Sequence, residues 1–204
     1  MSIARTVLLC GFLGLGLAGM PAQALPLAYK INPNSTDIGF SVDVFGLTSC
    51  AGEFSKFSGS LTIDLDAPES SEVMVRIDAN SASMEWAMAT QMILGESYLD
   101  AEHYPELQFV SEHVSMLGDG KVKMDGQLTL RGISHDESFI ADLSARHWNK
   151  ERNAQEADFT ATGTVHRSDY NMDQDKSVLD DRVVFTIHAR LLLTEPSFSS
   201  VLAH

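Results

Sequence analysis

Apolar residues fall on alternate positions along much of this chain. In Ile38-Gly39-Phe40-Ser41-Val42-Asp43-Val44 the large side chains occupy every second place, and Leu61-Thr62-Ile63-Asp64-Leu65 and Val73-Met74-Val75-Arg76-Ile77 repeat the rhythm. Side chains of a strand point to its two faces in turn, so each run predicts a strand with one buried face. The second half continues with Leu107/Phe109, Val122/Met124/Gly126/Leu128/Leu130, Phe139/Ala141/Leu143, Phe159/Ala161/Gly163/Val165 and Val183/Phe185/Ile187/Ala189/Leu191. Turn-forming residues at 67–70, 117–120 and 149–155 separate these runs. About eight strands joined by short links predict an antiparallel all-β domain. Such a domain hides its strand edges either by closing into a barrel or by stacking as a sandwich, and the pattern is the same for both.

The stretch 83–103 breaks the period of two. Met84, Met88 and Met92 stand four apart with Ala87 and Gln91 beside them, which on a helix forms one apolar stripe. Pro105 then starts the return to strand at Leu107, because proline disfavours helix in the residue before it. Trp86 lies off the stripe, in a position either to cap an opening or to cover the side of the domain. The final residues, 195–204, carry no pattern and are expected to fray as a disordered tail.

The amino terminus adds a location. Arg5 precedes an apolar run from Val7 to Ala18, and Ala22-Gln23-Ala24 offers small residues for cleavage. This predicts a secretory signal peptide over 1–24 and a mature domain over 25–194, since the run is shorter than the roughly 20 residues of a spanning helix. A single Arg before the run leans toward bacterial export to the periplasm. Cys50 is then the one mature cysteine, expected in the link after Gly46, which rules out an internal disulfide and leaves pairing with a second copy, a homodimer, open. Arg5 is the only charged residue among the first 24, so 13 basic residues face 28 acidic ones in the mature chain, a formal charge of −15. That excess argues against nucleic acid as a partner and disfavours adsorption to an anionic membrane. No stable membrane insertion is expected.

Candidate chemistry is sparse. The acidic run Asp169-Tyr170-Asn171-Met172-Asp173-Gln174-Asp175 with Asp180 has oxygens at calcium-loop offsets, but Gln174 replaces the sharp-turn glycine and Asp180 replaces the bidentate glutamate, so a solvated acidic hairpin is the expectation. Arg167 opens this segment and is expected in a surface ion pair, with Asp169 as the nearest acid. The histidines show no paired metal spacing, and no Gly-x-Ser-x-Gly elbow is present. No catalytic residue, cofactor or metal site is read from the chain.

The order of short motifs is nevertheless recognisable. Tyr29-Lys30-Ile31-Asn32-Pro33, the strand from Ile38 to Gly46, Gly52-Glu53-Phe54 to Gly59, Tyr98-Leu99-Asp100, Tyr104-Pro105-Glu106-Leu107-Gln108-Phe109, Gly126-Gln127-Leu128-Thr129-Leu130-Arg131-Gly132 and Arg167-Ser168-Asp169-Tyr170-Asn171-Met172 follow one another over nearly the whole mature chain. In this order they resemble the YceI-like family. The resemblance implies an extended, eight-stranded, lipocalin-like antiparallel β-barrel around an apolar tunnel that holds a polyisoprenoid or another long-chain amphiphile, an isoprenoid or quinone-like lipid, with no catalytic residues. On that reading the tunnel wall is Ile38, Phe40, Val42, Phe109, Met124, Leu128, Phe139, Phe159, Val165 and Phe185, with Met84, Met88 and Met92 as an adaptable stripe against the tail. Arg167 and Tyr170 are the candidates for head-group contact. Two departures stand out: 88–94 is uncharged where many members carry a charged, His-containing segment, and Val44 replaces the family's usual histidine. Alternation looks the same in a hollow barrel and in one filled by its own side chains, so a ligand-free structural or stress-associated barrel remains the alternative function, and an unrecognised hydrolase a third.

Overall fold

The structure, a computed structural model, describes residues 27–63, 67–151 and 153–194; the predicted signal peptide and tail lie outside them. Ten strands are described: β1 (Leu27–Val44), β2 (Thr48–Phe54), β3 (Phe57–Ile63), β4 (Glu72–Asp78), β5 (Ala82–Met84), β6 (Glu106–Gly118), β7 (Lys121–Leu130), β8 (Ile133–Asn149), β9 (Ala154–His166) and β10 (Leu179–Thr194). One α-helix, α1 (Ala87–Leu94), interrupts them. Every pairing is antiparallel, and β10 returns to β1 with Phe40 opposite Phe185 and Ile38 opposite Ile187, so the sheet closes on itself.

Ten segments make eight walls because two walls are broken. β2 and β3 lie end to end along β1, with Phe54 opposite Ile38 and Ser60 opposite Lys30, and β4 and β5 lie end to end beside them. The second break is a 3-10 turn, Ala79–Ser81. Ser81 replaces the lost ladder there: its hydroxyl accepts from the Lys56 amide at 3.0 Å and donates to the Asp78 carbonyl at 2.7 Å. The result is an antiparallel eight-stranded barrel, the strands as the alternation predicts and the closure as the family resemblance implies.

The helix is shorter than the broken rhythm of 83–103 suggested. Met84 is the last residue of β5, paired with Gly52, and residues 95–103 turn back on the helix through amide bonds from Leu99 to Ile93, Asp100 to Gly95 and Ala101 to Leu94. β6 begins at Glu106, opposite Asp78 of β4, so no strand runs beside β5 on that side. α1 takes that place, tied to β5 by the Thr90 hydroxyl, which accepts from the Met84 amide at 2.9 Å.

Inside, one row of residues crosses from wall to wall. Met84 lies opposite Gly52, Gly52 opposite Phe40, Phe40 opposite Phe185, Phe185 opposite Gly163, and Gly163 opposite Phe139. Both glycines are required by close approach. A Cβ on Gly163 would enter the Phe139 ring and one on Gly52 would enter the Phe40 ring, so the missing side chains are the space in which those rings lie. The rings then meet across the interior, Phe40 with Phe54 at 5.1 Å and with Phe185 at 6.5 Å, Phe139 with Phe185 at 6.4 Å and with Phe109 at 4.9 Å. A smaller cluster of Tyr29, Ala157 and Leu191 lies apart from this main core. Gly163→Ala should push the Phe139 ring off its seat and cost about 1–3 kcal/mol, as overpacking of a filled core does; urea unfolding of the variant measures it.

Candidate functional site

At the end of the barrel that carries α1 the interior is hollow. The cavity measures about 200 Å³, taken as the space open to the centre of a water molecule. Its floor and sides are Phe40, Val42, Cys50, Phe54, Leu107, Leu130, Val165, Val183 and Phe185 from the strands. Met84, Ala89, Met92 and Ile93 close it from β5 and α1, Tyr98, Leu99, Arg167 and Met172 from the turns and loops beyond, and Leu179 from the start of β10. The wall presents almost no polar surface. Such a space offers nothing to a charged or hydrogen-bonding group and favours a hydrocarbon chain by burial alone.

Six of the thirteen predicted wall residues line it: Phe40, Val42, Met84, Met92, Val165 and Phe185. Ile38, Phe109, Leu128 and Phe139 are buried in the main core, below the cavity, with Met124 packed against them. Phe159 belongs to the smaller cluster around Tyr29. The interior is thus filled by aromatic rings in its middle and open at one end. Met88 points to solvent. The stripe was drawn in helical phase from Met84, but Met84 is a strand residue, and the helix turns Ala89, Met92 and Ile93 inward at spacings of three and four.

Cys50 lies in β2 opposite Val42, not in a link, and lines the cavity. The run Thr48-Ser49-Cys50-Ala51-Gly52-Glu53-Phe54 hides its strand character because its inward positions include the small residues Cys50 and Gly52 before Phe54. Ala89, Ile93, Tyr98 and Met172 were also missed, since they sit on the helix and in loops where no alternation marks them.

Arg167 is buried, and the expected surface ion pair is replaced by carbonyl contacts. Its Nε donates to the Asp180 carbonyl at 2.9 Å, Nη1 to Met172 and Gln174 at 2.8 and 2.7 Å, and Nη2 to Leu179 at 3.2 Å. A charged group can be held inside only when its donors are satisfied, and here they gather the loop 172–179 around one guanidinium. The acidic run is spent on separate contacts: Asp173 with Lys176, Asp180 with Arg182, and Asp175 with Tyr98.

Tyr170, the other head-group candidate, is fully buried outside the cavity lining. Its hydroxyl lies 3.1 Å from Glu137 Oε1, and its ring packs edge-on against His135. Burial raises the Glu137 carboxyl above its ordinary value, against the lowering effect of the Tyr170 hydroxyl. A carboxyl with a raised folded pKa binds protons more readily in the native chain than in the unfolded one. Its penalty is therefore absent in acid and grows as pH rises through the unfolded and then the folded value. Glu137→Gln keeps an acceptor for Tyr170 and should raise the melting temperature at about pH 7 while changing it little at about pH 4, as paired thermal melts would show.

Three ties hold the mouth. The Tyr98 hydroxyl donates to Asp175 Oδ2 at 2.6 Å, and burial, with that carboxylate, pushes the phenol up to about 12. Arg131 donates to the Glu96 carbonyl at 3.0 Å and to the Asn171 carbonyl at 2.8 Å. The Phe45 amide donates to the Val178 carbonyl at 2.7 Å. Together they fasten the segment after α1, the loop 171–178 and the β1–β2 turn to one another. Tyr98→Phe removes one tie and should cost about 1 kcal/mol, with faster amide hydrogen exchange at 98–101 as the local readout.

The molecule is thus a closed antiparallel β-barrel with an apolar cavity at one end. The YceI-like domain model matches residues 29–191, and the chain belongs to that family. It is 30% identical over 166 residues to a UPF0312 protein of Pseudomonas putida strain W619, covering 78% of this chain and 84% of that protein. To a UPF0312 protein of Yersinia pestis strain Pestoides F it is 29% identical over 168 residues, covering 80% and 86%. Among solved structures, BcnA of Burkholderia cenocepacia shares the fold at a TM-score of 0.70 and 21% identity, covering 80% of this chain and 99% of that one. A polyisoprenoid binding domain from Saccharophagus degradans implicated in plant cell wall breakdown matches at a TM-score of 0.58 and 14% identity, covering 82% and 99%.

Proposed function

We propose that this protein is an exported, periplasmic lipid-binding protein that sequesters or carries a polyisoprenoid or a similar long-chain amphiphile, such as a quinone, and performs no covalent chemistry on it. The observation that carries this reading is the cavity: a space inside the barrel, open at one end, with a wall of carbon atoms. Family membership supports it, as does the polyisoprenoid-binding Saccharophagus domain with which the chain shares its fold. The signal-like start at Arg5 to Ala24 supports export.

The geometry refines the mechanism. With the guanidinium of Arg167 committed to carbonyls and no other charged side chain in the lining, the tail enters and the head group stays at the mouth. Each buried methylene contributes about 0.8 kcal/mol, so affinity climbs steeply with tail length until the chain reaches the aromatic floor. Methionines at 84 and 92 let the wall follow an irregular tail.

Native mass spectrometry of protein purified from its own host, followed by organic extraction, tests the reading. The expected result is a stoichiometric long-chain lipid that slows alkylation of Cys50 by a small apolar thiol reagent, because thiol and tail share the cavity. Ala89→Phe should fill that space from α1, lowering lipid retention while leaving the melting temperature unchanged or higher. A bare protein mass after incubation with isoprenoid and quinone lipids, with Cys50 equally reactive throughout, would reject lipid binding in favour of a ligand-free barrel.

A further inference from the structure

The end of the barrel that holds the cavity also carries exposed apolar side chains, of which Met92 lines the cavity itself. Phe45 and Leu47, in the β1–β2 turn, are 66% and 89% exposed, and Trp86, Met88 and Met92, at and within α1, are 61%, 75% and 51% exposed. The pairing brings the two groups to the same end. From the Gly52–Met84 pair, β2 runs back to Thr48 and the turn while β5 runs forward into Trp86 and α1. Residues 45–47 and 86–95 contain no Asp, Glu, Lys or Arg, on a chain whose formal charge is −14.

A tail leaving this cavity through water would expose its methylenes one after another. A mouth that seats on an apolar phase avoids that exposure, and the indole of Trp86 is the side chain best suited to the boundary of such a phase. Charge chooses the surface: an acidic protein is repelled by anionic lipid, whereas an uncharged rim can enter a net-neutral bilayer without desolvating any ion. No helix among the described residues is long and apolar enough to cross a membrane, so the contact is peripheral. Met116, Leu117 and Trp148 are also exposed, but they lie at the opposite end, where the main cavity does not open.

We propose that Phe45, Leu47, Trp86, Met88 and Met92 form a docking surface for the face of a net-neutral lipid bilayer, seating the cavity mouth where a tail can pass between membrane and barrel. The inference rests on the tail-binding reading above. Its test uses the full mature chain carrying Trp148→Phe, which leaves Trp86 as the only indole. Vesicles of phosphatidylcholine should shift Trp86 emission to the blue and carry the protein upward on flotation, and added phosphatidylglycerol should weaken both at low salt. Leu47→Asp and Met88→Asp, both at exposed positions, should leave the circular dichroism spectrum intact and reduce flotation by at least roughly tenfold. Flotation unchanged in these variants, or absent from the parent, would overturn the proposal. So would a blue shift that needs no vesicles and tracks a dimer dissolved by Leu47→Asp, since the rim would then cover a second copy. Protection of Cys50 by a short isoprenoid alcohol supplied from solution separates the two readings. Protection retained in rim variants that no longer float supports docking as a step distinct from tail binding. Flotation with no protection in any variant sinks the tail reading and leaves docking standing.

Discussion

The interior of an eight-stranded barrel is only wide enough for side chains from its facing walls to meet, or for one slender ligand. Here that width is taken up along a single row in which each of two glycines lies beside a phenylalanine whose ring covers it. Phe139 lies over Gly163 and Phe40 over Gly52, so the rings tilt across the interior in place of standing straight up from their strands. They then reach one another at centroid separations of 4.9 to 6.5 Å and close the middle of the barrel. What remains on the α1 side is the cavity. Its floor is thus a packing contact of the core, and Phe40, Phe54 and Phe185 serve both stability and shape. That double duty makes polar substitution of these rings a poor probe of binding, because the same change removes part of the core.

The wall on the α1 side is built differently from the rest. On the edge of β5 away from β2, where no strand pairs with it, a helix with no buried residue stands in, and two of its three inward side chains, Met92 and Ile93, are flexible or half-exposed. A wall of ladder hydrogen bonds cannot shift locally without breaking pairs, whereas a helix joined through Thr90, Leu94 and Ile93 can move as a unit. Across the mouth, Arg167 draws the carbonyls of Met172 and Gln174 in the loop and of Leu179 and Asp180 at the start of β10 onto one buried guanidinium, and Tyr98 fastens the segment after the helix to that loop.

Much of the fold was legible because period-two alternation is a direct consequence of strand geometry, and the long strands β6 to β10 all carry it. β2 was not, since Cys50 and Gly52 are too small to register as apolar positions. Gly52 is small for the very reason that it matters, the ring of Phe40 above it. The methionine stripe was mis-phased for a different reason: helical spacing counted from Met84 presumes that the helix includes it, and the boundary between β5 and α1 leaves no mark in composition. Whether the barrel was filled or hollow could not be read from alternation. The answer depends on ring volume summed across strands that are distant in sequence, Phe40 and Phe185 among them. Arg167 was visible as a lone base among acids, yet its partners are backbone carbonyls, which no sequence pattern displays.

A wall that presents almost no polar surface also limits what the cavity can discriminate. Burial is non-directional, so it separates ligands by length and thickness and scarcely by chemical identity. Any choice of head group must be exercised at the mouth, where the ties among 45–47, 95–104 and 171–178 hold the surrounding segments together. The absence of charge from 88–94 leaves the helix without a charged group to grip a head group and lengthens the apolar surface at the α1 end. For the lipid proposed above, a wall that holds hydrocarbon and does not grip a head group favours exchange with another apolar phase over release into water, in a direction set by where the lipid is more stable.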